Sequence, residues 1–244
     1  MVEITPRQKK ILFKTVEEYI KTAQPVSSLR LNQKYSFNVS SATIRNEMMT
    51  LAKKGLLYRP YSSSGRVPTD KGYWLFVDQF LGEIRPNKNL LEKLEEIKPT
   101  FVNLLEFFQH LTRILNEFSS TLVLNYLFEK NLLWEEGWTN ALLEPEFQDR
   151  RCIKRFTKLV EELETRIPHL FSQEPFESVK IFIGRNNPLM RCDDFSIIVS
   201  KIKIPKTRQG AGLVFLGPKR MPYKKNLQAL YTLFEFIKKY ETKK

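Results

Sequence analysis

Residues 5–55 constrain the chain more than any other stretch, because apolar side chains recur there at helical spacing and stop signals interrupt them three times. Thr5-Pro6 joins a hydroxyl N-cap to a proline at the first helical position, where the missing N–H costs nothing. Ile11, Leu12, Val16, Tyr19 and Ile20 follow on one face, with lysines outside it, and Pro25 ends the run. A second, short helix capped by Ser27 or Ser28 carries Leu29 and Leu31 to about Tyr35. A tight connection, Ser36-Phe37-Asn38-Val39, leads to the next caps, Ser40-Ser41. The spacing predicts a third helix from about Ser41 to Lys54, closed by Gly55 at the C′ position.

In that third helix Ile44, Met48 and Leu51 fall within one narrow arc that faces the other two helices. The opposite arc presents Ala42, Arg45, Asn46, Met49 and Lys53, with Thr43 at its shoulder. Small residues let a helix approach a major groove closely, and Arg and Asn make bidentate contacts to guanine and adenine edges. The capping hydroxyls of Ser40 and Ser41, with the free N–H groups of the first turn, suit a phosphate. After Gly55, Leu56 to Arg59 reads as a strand, Pro60 to Val67 as a turn-rich loop returning in a second strand. Three helices and a small ribbon make a winged helix-turn-helix. Arg59 and Arg66, flanking a flexible tip that contains Ser63, Ser64 and Gly65, are placed for phosphates or an adjacent minor groove. Thr69-Asp70 opens a further helix whose stripe of Tyr73, Trp74, Phe76, Val77 and Phe80 reads as core or dimer-supporting surface.

Charge agrees with a nucleic-acid partner. The 244 residues carry a formal net charge of +13, distributed as +7 in residues 1–85, −5 in 86–179 and +11 in 180–244. A basic head, acidic middle and basic tail argue for more than one unit, and polyanions are the expected partners. No apolar stretch approaches the ~18 residues of a spanning helix, and the start carries no apolar secretory core. A cytoplasmic, nucleoid-associated protein with no membrane contact is the expectation.

Beyond residue 85 the pattern is less regular. Lys88 to Glu129 reads mostly as amphipathic helix broken near Pro99, with Leu90, Leu91, Leu94 and Ile97 on one face. Leu104, Phe108, Leu111 and Leu115 lie on another, in a helical stretch extending to Leu124. A helix over about Asp149–Glu164 is followed by strands at Val179–Ile183, Phe195–Ile202 and Gly212–Leu216, then a helix over about Lys224–Tyr240. Strands enclosed by helices indicate a small α+β unit. Gly217-Pro218-Lys219-Arg220 reads either as an anion holder before the last helix or as a strand-to-helix turn.

Nothing in the chain reads as an enzyme. His110 and His169 lack partner spacing, Cys152 and Cys192 form no CxxC pair, and Asp193-Asp194 reads as a solvated turn. No nucleophile elbow, P-loop or dinucleotide fingerprint occurs, and no metal or cofactor is expected.

Several runs resemble the HrcA-type heat-inducible transcription repressors of bacteria. They are Val26-Ser27-Ser28, the stretch VSSATIRNEM from Val39 to Met48, Gly55-Leu56-Leu57, and SSGRVPTDKGY from Ser63 to Tyr73. In the tail, Gly217-Pro218-Lys219-Arg220-Met221-Pro222-Tyr223 is similar to a family signature, with Lys219 and Pro222 in place of Thr and Asp. Glu144-Pro145-Glu146-Phe147 matches another landmark. The likeness covers residues 1–85 well, the tail from about Val179 fairly and the middle in patches. It implies a dimer on an inverted-repeat operator called CIRCE, ahead of chaperone genes. It also implies a GAF-like second domain and functional help from a GroEL-type chaperonin.

The expected architecture is therefore α+β and mostly helical. A winged helix-turn-helix occupies 1–85, linker or dimerisation helices 86–125, and a reduced GAF-like α+β regulatory domain 126–244. The expected function is a DNA-binding repressor of heat-shock genes. The competing reading is a metabolite-responsive winged-helix regulator with a small effector in the C-terminal domain.

Overall fold

The computed structural model describes residues 2–97, 103–171, 174–187, 189, 193–204 and 209–241. They fall into two units, Met1–Glu83 and Ile84–Lys244. The architecture is α+β.

The first unit begins with α1, Pro6–Thr22, which opens on a reciprocal capping box. The Thr5 hydroxyl accepts from the Gln8 N–H, and the Gln8 side chain accepts from the Thr5 N–H. Its buried residues include Ile11, Leu12, Phe13 and Val16. Tyr19 and Ile20, expected on that face, are only half-buried, and Glu18 lies inside instead. The face turns because Glu18 has partners on α2, Ser28–Lys34. The α3 helix, Ser41–Lys53, buries Ile44, Met48 and Leu51 as its spacing predicts, and Gly55 follows at a positive φ of 72°. Two short strands, β1 (Leu57–Tyr58) and β2 (Val67–Pro68), pair antiparallel. The α4 helix, Asp70–Asp78, is capped by Thr69. The Thr69 hydroxyl also donates to the Gly55 carbonyl at 2.6 Å, which ties the end of α3 to the start of α4. Tyr73, Phe76 and Val77 are core residues, and Phe76 meets Phe13 and Phe80 edge-on.

In the second unit a five-stranded antiparallel sheet runs in the order β4-β3-β7-β6-β5. Its strands are β3 Leu122–Leu127, β4 Leu132–Glu136, β5 Val179–Ile183, β6 Phe195–Lys203 and β7 Gly210–Pro218. Three strands are expected from sequence, so β3 and β4 are corrections. Helix α6, Leu104–Ser119, stops where Ser120 adopts a left-handed conformation, not at Leu124. All six β3 residues are buried, so the strand shows no alternation and reads like a buried helix segment.

One sheet face is covered by α8, Arg150–Phe171. Phe156, Leu159, Leu163, Ile167 and Phe171 meet Leu124, Ile197, Val199 and Val214 there. This helix also outruns its expected end at Glu164. Pro168 stands in its last turns, yet Ile167 and Phe171 continue the buried stripe past it. Helices α6 and α9 (Tyr223–Glu241) cover the other face, and α5 (Lys88–Glu96) packs against both of them. The Asn87 N–H donates to Thr232 on α9, and Asn125 on β3 donates to Thr112 on α6. A short helix, α7 (Trp138–Leu142), links β4 to the Pro145–Gln148 turn.

The Gly217–Arg220 segment is the strand-to-helix turn of the two readings above. Arg220, with its side chain 8% exposed, donates through Nε and Nη2 to Glu146 at 2.6 and 2.9 Å and also to Glu144. The two family landmarks are thus one clasp. Asp193 and Asp194 do form a turn, but each is held by an arginine, Arg185 and Arg155 respectively. Cys152 is buried in the core of the second unit, and Cys192 lies outside the described residues. No group of metal-ligating side chains occurs among the described residues. None of their helices is long and apolar enough to cross a membrane.

Candidate nucleic-acid interface

The expected contact residues lie in the first unit, on α3 and on the ribbon that follows it. Ser40 is the N-cap of α3: its Oγ accepts from the Thr43 N–H at 3.1 Å and lies 3.0 Å from the Thr43 hydroxyl. Ala42, Arg45, Asn46, Met49 and Lys53 are exposed, while Ser41 and Thr43 are half-buried at the shoulder. Glu47, the acid of this helix, is drawn to α1, where Gln8 Nε2 donates to it at 2.9 Å and Arg7 approaches to 3.7 Å. The outward face of α3 is left without a negative charge.

Position and rigidity of the ribbon come from a contact that no periodicity announces. Val26, just ahead of α2, bridges to Arg66 through two backbone hydrogen bonds of 2.9 and 2.8 Å. A Cβ at Gly65 would lie 2.4 Å from the Val26 carbonyl carbon, so glycine alone fits there. The tip, expected to be flexible, is closed on itself. The Ser64 N–H and hydroxyl both donate to the Tyr61 carbonyl, at 3.0 and 2.8 Å, and Arg59 Nη1 donates to the Ser62 carbonyl at 2.9 Å. Short serine hydroxyls supply these bonds locally, which is why the tip needs no long strands to hold its shape.

Between α3 and the ribbon lies a groove of about 500 Å³. It brings together Arg45 and Met49 from α3 with Arg59, Ser63, Ser64, Gly65 and Arg66 from the ribbon. Ser40, Ser41, Ala42, Thr43, Asn46 and Lys53 are not part of its wall. Val26, Ser27, Ser28, Met48 and Ser62 also line it, and the sequence reading did not assign them to the site. The one signal for the first three was their place in a family-like run. Burial, and then the neighbouring charge of Arg59, pull the Arg66 guanidinium below the ordinary arginine range.

Beneath this surface an ion cluster fixes α2 against α1. Glu18, wholly buried, accepts from Arg30 at 3.1 Å, Lys34 at 2.6 Å and the Tyr35 hydroxyl at 2.7 Å. Burial alone raises its pKa, but the three donors outweigh that and bring it down to about 2. The same contact, after burial, pushes the Tyr35 phenol upward.

Comparison with known proteins places the chain. Residues 80–227 match the family model described as HrcA protein C terminal domain, more than half of the sequence. The chain belongs to the HrcA family. The match is continuous through the middle, where the sequence alone resembled HrcA proteins only in patches.

Curated relatives agree, each bearing the name heat-inducible transcription repressor HrcA and not that of an enzyme. A Synechococcus protein is 55% identical over 80 residues, 33% of this chain and 21% of its own length. One from Thermosynechococcus vestitus is 46% identical over 96 residues, 39% of this chain and 26% of its own length. One from Alkaliphilus metalliredigens is 38% identical over 123 residues, 49% of this chain and 35% of its own length. The matched stretches thus span about a fifth to a third of these HrcA relatives. Among solved structures, the crystal structure of a hypothetical protein superposes with a TM-score of 0.73 at 18% identity, over 98% of this chain and 99% of that one. That likeness concerns the fold.

Proposed function

We propose that the protein is a sequence-specific DNA-binding repressor of heat-shock chaperone genes, acting as a dimer on an inverted-repeat operator. In this reading the first unit is a winged helix-turn-helix, α3 is its recognition helix and the β1–β2 ribbon its wing. The second unit is a GAF-like regulatory domain, a reading supported by its sheet sandwiched between helices. The observation that carries the proposal is the outward face of α3, where Arg45, Asn46 and Lys53 stand exposed beside Ala42 and Met49 with no acid among them, set beside a ribbon that adds two arginines to the same groove. A helix of that composition matches major-groove base edges, and flanking arginines match backbone phosphates. Membership of the HrcA family and the repressor name of the curated relatives point the same way.

Two copies would place their α3 helices in successive major grooves, and repression follows by occlusion of the promoter. The deciding experiment is a gel-shift titration of an inverted-repeat operator beside a scrambled duplex at fixed salt, with sedimentation of the free protein. Preference for the operator by at least 10³-fold, with a stoichiometry of two chains per site, is expected. Equal affinity for both duplexes overturns the proposal.

A further inference from the structure

On the duplex-binding reading, the groove between α3 and the ribbon has a more specific content. Arg45 enters it from α3, and Arg59 and Arg66 enter from the two arms of the ribbon. No carboxylate lines the groove, and among the described residues none of these three guanidiniums forms an ion pair. The pattern is local, since in the same unit Arg7 meets Glu47 and Arg30 meets Glu18.

Three like charges converging on one cavity repel each other, and an anion among them reverses the sign of that energy. Burial first, and then the charge of Arg59, hold Arg66 below the ordinary arginine range. Ser63 and Ser64 add hydroxyl donors, and Met48 and Met49 add apolar surface to the same lining. Planar guanidinium forks match the oxygens of a phosphate group. The Arg59 Nη1 bond to the Ser62 carbonyl ties that guanidinium to a tip closed by the Ser64 hydroxyl.

We propose that the groove between α3 and the ribbon is a preformed oxyanion seat for one phosphate group, anchored by Arg59 and Arg66 and bordered by Arg45. A backbone phosphodiester fills it when duplex is bound, and free inorganic phosphate fills it otherwise. Phosphate therefore competes with DNA beyond its effect on ionic strength.

The full-length chain is titrated with inorganic phosphate at constant ionic strength, balanced with chloride, while the arginine Nε–H NMR signals are followed. Signals of Arg59 and Arg66 are expected to move together and saturate. Arg66→Gln weakens the apparent affinity about tenfold, and Arg59→Gln does the same should the first variant lose its fold. A parallel series of operator duplexes each carries a single neutral methylphosphonate. One position lowers the affinity of the parent chain about tenfold and leaves that of Arg66→Gln unchanged. If phosphate moves these signals no more than chloride does, and no methylphosphonate position couples to Arg66 in a chain that still binds operator, the seat is refuted and the duplex reading survives. If phosphate saturates the groove of a chain that binds no duplex, the seat stands with a free phosphate-bearing anion as its occupant, and the duplex reading falls.

Discussion

In the first unit Arg45, Arg59 and Arg66 share a groove that has no carboxylate, whereas in the second unit Arg155, Arg185 and Arg220 each meet an aspartate or a glutamate. The second set is committed to internal order: Arg220 fastens the Glu144–Glu146 segment to the turn between β7 and α9. The first set forms no ion pair among the described residues, and its members line one groove. Net charge alone would not separate the two, because residues 180–244 are more basic than residues 1–85. What separates them is where the acids fall. The acidic middle of the chain folds back onto the basic tail of its own unit, while Glu18 and Glu47 of the head are occupied behind the groove.

This contrast breaks most visibly at Arg220. Arg220→Met leaves Glu144 and Glu146 without their cation and is expected to destabilise the second unit by about 3 kcal/mol. Urea unfolding followed by the fluorescence of Trp134 and Trp138 measures it, and DNA affinity below the transition should be unchanged. A comparable effect is expected at Glu18, and there it depends on pH. Its folded pKa of about 2 lies below the unfolded value near 4.5. The stabilisation, about 3 kcal/mol from that difference, is therefore complete above pH ~4.5 and disappears as pH falls towards 2. Thermal midpoints of the parent chain and Glu18→Gln should differ at pH 7 and converge near pH 2.

The groove arginines should behave in the opposite sense, changing binding and sparing the fold. Arg45→Ala is expected to cost about 1–3 kcal/mol on operator and to relax the base preference at one position, seen by titrating single-base operator variants. The smallest effect belongs to Arg66→Ala on the duplex. It weakens operator and scrambled DNA alike, and the slope of log affinity against log salt falls by about one unit. A relaxed base preference for Arg66→Ala, or none for Arg45→Ala, would redraw the division of tasks between α3 and the ribbon.

Legibility from sequence followed the same division. The α3 helix was readable because Ile44, Met48 and Leu51 keep one face, Ser40 caps it and Gly55 stops it. Arg45, Arg59 and Arg66 could each be located from sequence, on that helix and beside a turn. Their convergence could not be, since it depends on the backbone bridge between Val26 and Arg66, a pairing of residues distant in sequence that leaves no periodic trace. In the second unit β3 was hidden for a different reason: a strand buried on both faces has the uniform apolar composition of a helix core. The Arg220 clasp joins residues 74 or more positions apart, and only the family signatures marked its two halves as noteworthy.

The Val26–Arg66 bridge also bears on how this surface can be re-engineered. Backbone pairing is blind to the side chain at position 26, so that residue is open to exchange wherever its burial is respected. Gly65 has no such latitude, because any side chain there would collide with the opposing main chain. A tip transplanted from another protein will therefore take hold only if its glycine arrives in register, and libraries that vary this ribbon should hold that one codon constant.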